Sequence, residues 1–329
     1  EIYTLSLHDA LPIYGKYKAK VDIGYAYGKV SLKDIFVERQ FSSHALLRVG
    51  NFVHQFGLQS STSSSMKVTM EEPASNEAFF NSRLMGAMFV YDKNDFFGTA
   101  SVHVESEALK KKSNELGKMG YGAMSRLVYR PLHDTGRLFQ LGISGAYETP
   151  RYNSEPTLNH TSFDLGANFP TRIAKVRAVN ALIPDAKNLI KFTPEMIAGY
   201  GPVALEAQYY YLQVNRKKDF KNYKASGMYG ILRGLLIGGN YRYSHTDCGI
   251  ATPDSGSLEC VFGYNYTDMS DTRSHIYGGR LNDVSFTVNY YINKYMIWRF
   301  RYSYTKITDR VGFENQSLSA FQTRFQVIF

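Results

Sequence analysis

Five arginines lie in segments where apolar and polar residues alternate, and each arginine occupies a polar position. They are Arg126, Arg130, Arg299, Arg301 and Arg324. Because the side chains of a strand point alternately to its two faces, a strand conformation places each guanidinium on the polar face. A cation on the lipid side of a membrane strand costs about 2–4 kcal/mol at mid-depth, so we expect these arginines to line an aqueous interior and attract anions. The alternative is that each one pairs with a carboxylate and only braces the wall.

The histidines give little support for catalysis. Outside residues 1–13 they occupy positions 44, 54, 103, 133, 160, 245 and 275, and none lies in a nucleophile-elbow or HExxH pattern. His103 shares a strand face with Ser101 and Glu105, but residues two apart share a face on any strand. We therefore expect no catalytic residue, and the sequence likewise predicts no metal site and no cofactor.

Cys248 and Cys260 are the only cysteines, and they flank a polar stretch. A disulfide between them is one alternative if the chain folds in an oxidising compartment. The other alternative is a lipid-facing free thiol, because Cys260 shares a strand face with Phe262, Tyr264 and Tyr266.

The last thirteen residues, 317–329, alternate between an apolar and a polar face. Phe321 and Phe325 fall on one face, whereas Gln322 and Arg324 fall on the other. An exposed strand edge of this kind invites pairing with other chains, but in a closed barrel the edge is paired and lipid covers the apolar face. The ending resembles the C-terminal strand of bacterial outer-membrane proteins.

Similar alternation recurs along the chain at intervals of roughly 10–25 residues, which is typical of a barrel. The predicted strands are 16–27, 30–39, 44–53, 81–91, 96–105, 121–130, 137–147, 161–169, 188–198, 203–213, 224–236, 258–268, 284–292, 296–304 and 317–329. Segments 173–181 and 237–247 are ambiguous, and no apolar run approaches the roughly 18 residues that a membrane helix needs. The sequence therefore predicts an all-β protein, a transmembrane antiparallel β-barrel of about 16 strands when intact, whose size leaves an aqueous channel.

The formal net charge is +9, which could indicate a nucleic-acid-binding protein. However, the dense basic runs at 110–112 and 216–218 lie between strand-like segments, where we expect solvated loop tips. We therefore expect outer-membrane lipid and small anions as partners, and no nucleic acid.

Residues 1–13 do not fit the pattern of the rest of the chain. Glu1 to Ile13 correspond, codon by codon, to one reading frame of a common sequencing-library adapter. We interpret 1–13 as a non-native segment and 14–329 as the barrel. A signal peptide and at least one strand are expected to precede residue 14 in the intact protein, so that the barrel is truncated at its N-terminus.

Several motifs follow one another in a consistent order along residues 16–329. They are Leu47-Arg48-Val49-Gly50-Asn51-Phe52, Phe56-Gly57-Leu58, Met70-Glu71-Glu72-Pro73, Ala78-Phe79-Phe80, Tyr200-Gly201-Pro202-Val203-Ala204-Leu205-Glu206-Ala207-Gln208-Tyr209-Tyr210, Gly278-Gly279-Arg280-Leu281 and Asn289-Tyr290-Tyr291-Ile292-Asn293. In this order they resemble the phosphate-selective porin O and P family, in its Bacteroidetes-type branch. The resemblance implies an outer-membrane channel, usually a homotrimer, that is often selective for phosphate or other anions.

The resemblance also implies that an inward-folded loop, here 55–80, forms a constriction where Lys67 and the arginines present positive charge. The sequence departs from the phosphate-specific pattern at three positions. Met66, Pro73 and Gly263 stand where that pattern has, or often has, a basic residue. We therefore expect phosphate to bind weakly at most.

Three hypotheses follow for the function. The first is an anion-favouring porin in the bacterial outer membrane for passive diffusion of small hydrophilic solutes, phosphate or polyphosphate among them. The second is a structural or scaffold barrel with a closed pore. The third, a barrel lipase or protease, has the least support from the sequence.

Overall fold

The computed structural model of the protein describes residues 5–6, 9–26, 29–60, 62, 66–80, 83–105, 119–171 and 176–327. These residues contain one 3-10 turn, Leu58–Ser60, and one short helix, α1 (Ala74–Phe79). The strands are β1 (Leu5–Ser6), β2 (Asp9–Tyr14), β3 (Tyr17–Ala26), β4 (Lys29–Ser42), β5 (Ala45–Phe52), β6 (Leu84–Lys93), β7 (Phe96–Val104), β8 (Tyr121–Asp134), β9 (Arg137–Glu148), β10 (Phe163–Asn168), β11 (Arg177–Ile183), β12 (Ala186–Tyr200), β13 (Val203–Arg216), β14 (Tyr223–Ile237), β15 (Tyr243–Ser244), β16 (Gly249–Ile250), β17 (Leu258–Asp271), β18 (Ile276–Asn293), β19 (Met296–Arg310) and β20 (Gln316–Val327). No helix in the described part of the chain is long and apolar enough to cross a membrane.

Sixteen of these strands form one antiparallel sheet, which confirms the all-β prediction. The order is β1-β3-β4-β5-β6-β7-β8-β9-β12-β13-β14-β17-β18-β19-β20, and β2 also pairs with β3. Two further pairs, β10 with β11 and β15 with β16, form small sheets of their own. Among the described residues, no ladder joins β20 to β1 or β2, so the sheet has edges at these strands.

The two faces of the sheet differ in their surroundings. The inner face contacts the segment between β5 and β6, and the outer face carries exposed apolar and aromatic side chains. In β19, Arg299 and Arg301 are buried on the inner face while Trp298 and Tyr302 are exposed on the outer face. In β20, Phe325 is exposed and its neighbours in sequence are half-buried. These orientations confirm the predicted register of both strands.

The described part of the segment between β5 and β6 (residues 53–60, 62, 66–80 and 83, called the 53–83 segment below) folds onto the inner face. Side chains that bond to its backbone come from Ser144 on β9, Gln208 on β13, Asn265 on β17, Asn289 on β18 and Arg324 on β20. Because strands so far apart in the sheet contact one segment, the sheet curves around it. Gly57 is required at this contact, since its φ is +80° and a Cβ would lie 1.7 Å from Nε2 of Gln208.

We call the 16-stranded sheet the wall. Residues 161–169, predicted as a strand of the barrel wall, belong instead to a hairpin on its inner side. In the described residues β10 pairs with β11 alone, and the two strands pack against α1 and β18. Apolar side chains of the hairpin share a buried cluster with α1; they include Phe163, Ala167, Val179 and Ile183. The period-two pattern predicts a strand but not the surface that covers its apolar face, which here is protein.

The described part of residues 1–13 pairs with the sheet. Leu5–Ser6 and Asp9–Tyr14 both bond to β3, and neither strand pairs with β20. These residues therefore extend the N-terminal edge of the sheet. Their interpretation as a non-native segment stays a prediction.

Candidate functional site

Arg126 and Arg130 project from β8 to the inner side and are completely buried. Nη2 of Arg126 donates to Oε1 of Glu195 on β12 at 2.6 Å. Arg130 forms an ion pair with Asp92, and its guanidinium carbon lies 5.5 Å from the ring centroid of Tyr243. Both guanidinium groups are therefore engaged within the protein, as the bracing alternative expects.

The segment between β14 and β17, residues 238–257, covers this arginine pair from the inner side. The carbonyl oxygen of Cys248 accepts a bond from Nη2 of Arg126 at 3.5 Å, and its sulfur accepts one from the hydroxyl of Tyr243 at 3.3 Å. Burial raises the pKa of the Cys248 thiol, so the sulfur stays protonated at neutral pH. The segment thus places neutral groups against the arginines.

Cys248 and Cys260 are both free thiols, so the possible disulfide is not formed. Cys248 is buried on the inner side, whereas Cys260 lies on the outer face of β17 in the same row as Phe262 and Tyr264. The sheet separates the two sulfur atoms. The alternative of a disulfide is therefore wrong, and the alternative of a free thiol at Cys260 on the outer face agrees with the structure.

Arg301 and Arg324 are paired as well. Nη2 of Arg301 donates to Oδ2 of Asp283 on β18 at 3.1 Å, and Nη2 of Arg324 donates to Oε1 of Glu71 at 2.7 Å. Nη1 of Arg324 also donates to the carbonyl oxygen of Met70 at 3.0 Å. The C-terminal strand therefore holds the 53–83 segment in place.

Arg299 differs from the other four arginines. Its side chain is buried, Nη1 donates to the carbonyl oxygen of Lys67 at 2.8 Å, and Nε has no hydrogen-bond partner among the described residues. No carboxylate of the described chain lies within ion-pair distance of it. The Lys67 side chain is also buried, and its Nζ donates to the carbonyl oxygen of Gln59 at 2.5 Å. Of the five predicted arginines, Arg299 is therefore the one without a carboxylate partner in the described chain.

The structure brings four of the six predicted residues together. Arg299 and Arg324 are direct partners in the β19–β20 register, and Arg301 shares the inner face two residues further along β19. Arg299 and Arg324 bond to residues 66–73, which include Lys67, and we call these three arginines and Lys67 the 66–73 cluster. Arg126 and Arg130 lie apart from it, beneath residues 238–257.

The packing around residues 66–73 accounts for one departure from the phosphate-specific pattern. A Cβ at Gly263 would lie 2.8 Å from Oγ of Ser285 and 3.2 Å from Cγ2 of Thr69. A side chain at position 263 would therefore have to displace Ser285 and Thr69. Met66, another departure, contacts Gln326, whose Nε2 lies 3.6 Å from the thioether sulfur.

Sequence reasoning missed the partners that neutralise the arginines and one buried lysine. Lys191 on β12 donates to the carbonyl oxygen of Phe79 at 2.7 Å and lies 2.9 Å from Oε1 of Glu148, so it ties α1 to the wall. Arg233 and Glu259 form a further buried pair at 2.8 Å. The available signal was the same alternation, which places these charged residues on inner faces.

Ser101 and His103 on β7 and Glu105, which follows β7, do not form a catalytic group. The ring of His103 lies 5.3 Å from that of His54, and neither of its nitrogens has a hydrogen-bond partner in the described chain. Ser101 donates to a backbone carbonyl, and Glu105 accepts from His160 and from backbone amides. Burial, followed by the neighbouring His103, lowers the pKa of His54 in the loop after β5 to about 4. Nucleophilic catalysis needs a base bonded to the nucleophile, which these residues do not provide.

The sequence matches the family described as phosphate-selective porin O and P over residues 12–329. No individual curated protein matches it. Among solved structures, the chain resembles in-vitro folded OmpT, an outer membrane protein of Vibrio cholerae, with a TM-score of 0.56, 9% identity, and coverage of 98% of this chain and 87% of that chain. It also resembles the trimer form of OmpT (TM-score 0.51, 10% identity, coverage 95% and 85%) and the anion-selective porin from Comamonas acidovorans (TM-score 0.52, 10% identity, coverage 97% and 85%).

At these identities the structural likenesses establish the fold alone, which this chain shares with outer-membrane porins. The family match adds the function, because it covers nearly the whole chain and describes a channel rather than an enzyme. The predicted porin is confirmed at this level, and the lipase or protease alternative is set aside. The chain belongs to the phosphate-selective porin O and P family.

Proposed function

We propose that this porin is a closed barrel of about 16 strands in the bacterial outer membrane, where it admits small hydrophilic anions by passive diffusion as a homotrimer. The exposed apolar side chains of the outer face support the membrane location, since lipid can cover them. The anion-selective porin from Comamonas acidovorans and the trimer form of OmpT, which share the fold, support the solute class and the assembly. The motifs quoted above support the Bacteroidetes-type branch.

The 66–73 cluster is the observation that carries the anion preference. Within this cluster, Arg299 has no carboxylate partner in the described chain and donates to the backbone carbonyl oxygen of Lys67. A cation without a counter-charge produces a stronger field in a low-dielectric wall than a paired one does. The Arg299 side chain is buried, so it acts on passing anions through this field rather than by direct coordination. Residues 55–80 then form the constriction that holds the charges next to the solute path.

The remaining arginines support weak binding of phosphate. Tight binding of phosphate needs several donors that reach the anion, but Arg126, Arg130, Arg301 and Arg324 are each engaged with a carboxylate. Position 263 adds no basic side chain, because it is a glycine packed against Thr69. We therefore assign the protein a general preference for anions rather than a phosphate ladder.

Single-channel recording of the porin in planar bilayers tests this function. In a KCl gradient the reversal potential is expected to have the anion-selective sign, because the field of the cluster lowers the barrier for chloride. Millimolar phosphate is expected to block the chloride current only in part. A reversal potential of the cation-selective sign would contradict the anion preference, and block by micromolar phosphate would contradict weak binding.

Packing on the inner side favours a second candidate, a structural barrel with a closed pore. Residues 53–83 and the β10–β11 hairpin bury an apolar cluster there, which includes Phe79, Val179 and Ile183. Bilayer conductance separates the two candidates. A folded preparation that inserts without producing current steps would favour the scaffold, and regular steps of one size favour the channel.

A further inference from the structure

A polar cavity of 290 Å³ lies between α1, the β10–β11 hairpin and the wall strands β9 and β12. Glu148 and Lys191, each with a side chain 3% exposed, form its floor together with Arg151. Asp164 and Arg177, whose side chains are 44% and 42% exposed, form its mouth. None of the four basic residues of the 66–73 cluster lines it, so this cavity is separate from the site described above.

Two cations share one carboxylate at the floor of the cavity. Nζ of Lys191 lies 2.9 Å from Oε1 of Glu148, and Nη2 of Arg151 lies 2.5 Å from Oε2 of the same group. A guanidinium has five donor hydrogens, and Arg151 uses one of them for Glu148 within the described chain. The floor can therefore receive a second carboxylate from a bound solute.

The mouth of the cavity offers the opposite chemistry. Oδ1 of Asp164 accepts from Nη1 of Arg177 at 2.5 Å, and the same nitrogen also donates to Asn180. Oδ2 of Asp164 has no hydrogen-bond partner among the described residues. This oxygen is available to an ammonium group that enters from solvent.

We propose that the cavity binds a zwitterionic solute of amino-acid or dipeptide size, with its carboxylate on Arg151 and Lys191 and its ammonium group on Asp164. The described lining contains equal numbers of cations and carboxylates: Arg151, Arg177, Lys191, Glu77, Glu148 and Asp164. A solute with a single charge meets both attraction and repulsion there, whereas a zwitterion satisfies both ends. The volume is at the small end of ligand pockets, which are about 300–1,000 Å³.

Aromatic rings complete the lining between floor and mouth. Phe79, Phe80, Tyr152 and Phe163 line the cavity, and their surfaces can pack against the carbon atoms that separate the two charges of the solute. Binding at this cavity does not depend on conduction, so the proposal goes beyond the anion-favouring channel. It adds a solute class that differs from the ions attracted by the 66–73 cluster.

Isothermal titration of the folded full-length chain in detergent tests the proposal, with glycylglycine as the probe and phosphate and glucose as comparison solutes. Glycylglycine is expected to bind saturably and more tightly than either comparison solute. D164N and R151Q are each expected to weaken its binding roughly tenfold or more, because each removes a charge-assisted hydrogen bond. The matched control is D254N, which removes the carboxylate of an equally short, exposed ion pair with Arg242 outside the cavity and is expected to bind glycylglycine normally.

Three results would overturn the zwitterion site: no saturable binding of glycylglycine to the unmodified chain, losses in D164N and R151Q no larger than in D254N, or equal binding of glucose or phosphate. Circular dichroism and heat-modifiable migration establish the fold of each variant. The two cavity variants lie on different segments, so the second still tests the site if the first fails to fold. Because no current is measured, failure here leaves the anion-channel test unaffected, and the reverse also holds.

Discussion

The wall strands and the segments on their inner side follow different rules of burial. In β19, inward residues such as Arg299 and Ser303 alternate with exposed aromatic residues, so the face of each residue follows from its neighbours in sequence. In 53–83, consecutive residues are buried, and Ala78 and Phe79 are both covered. Their burial depends on strands far away in the chain, as the bond from the amide of Ser75 to Asn265 shows.

This difference decides where positive charge remains without a partner. An arginine on a sheet strand can pair with a carboxylate on the inner face of another strand, as Arg126 does with Glu195 and Arg301 with Asp283. The 53–83 segment offers both kinds of acceptor: Glu71 pairs with Arg324, whereas Arg299 meets only the backbone carbonyl oxygen of Lys67. The inner segments, rather than the wall, therefore determine which cations keep an uncompensated field.

The largest expected effect comes from breaking a charge pair within the wall. E195A leaves Arg126 completely buried without its carboxylate, and removal of one partner of a buried pair costs about 3–5 kcal/mol. We expect the free energy of unfolding in urea, measured in detergent or lipid, to fall by that amount. D254N, which breaks an exposed pair, is the control and is expected to cost less than about 1 kcal/mol. Equal losses in the two variants would mean that the Arg126 pair does not brace the wall.

The outer face of the wall is expected to show the next largest effect. Phe286 lies in the middle of β18 on the outer face, and F286R places a charge where lipid is expected, at a cost of about 2–4 kcal/mol. Tyr277, on the same face near the start of β18, gives the control, because Y277R is expected to cost about 0–1 kcal/mol near the membrane interface. The free energy of unfolding from lipid vesicles, measured for F286R and Y277R, gives both costs. Equal costs would show that Phe286 does not lie deeper in the membrane than Tyr277.

The wall could be predicted from the sequence because its pattern is local. The inward positions of Arg299, Arg301 and Arg324 follow from period-two alternation alone, and the structure places them so. The same alternation correctly placed Cys260 on the outer face. Each of these residues needs only its own strand to determine its direction.

The inner segments could not be predicted in the same way. Residues 161–169 alternate between apolar and polar residues like a wall strand, but β10 pairs with β11 and packs against α1. The acids that neutralise the arginines come from other strands, such as Glu195 for Arg126, and no spacing in the sequence connects the two. Such contacts depend on how the sheet curves around 53–83, which alternation does not specify.

The smallest expected effect concerns selectivity and lies where the wall meets the inner segment. R299Q removes a charge that has no carboxylate partner in the described chain. At about 5 Å from the ion path and in water-like surroundings, a unit positive charge favours an anion by about 0.8 kcal/mol and disfavours a cation by the same amount. Loss of the charge therefore changes the anion-to-cation preference by about 1.6 kcal/mol, and the permeability ratio is expected to fall roughly 15-fold. R299K keeps the charge and is expected to keep the ratio, as measured by reversal potentials in a KCl gradient.

The stability of R299Q sharpens the contrast with E195A. Arg299 has no carboxylate partner in the described chain, so R299Q leaves no unpaired carboxylate in the interior. We therefore expect the free energy of unfolding to change by less than about 1 kcal/mol. Equal reversal potentials for R299Q and R299K would show that the charge at this position does not set selectivity. A loss of stability in R299Q as large as that in E195A would show that Arg299 braces the wall like the paired arginines, and the distinction between wall and inner segment would then fail.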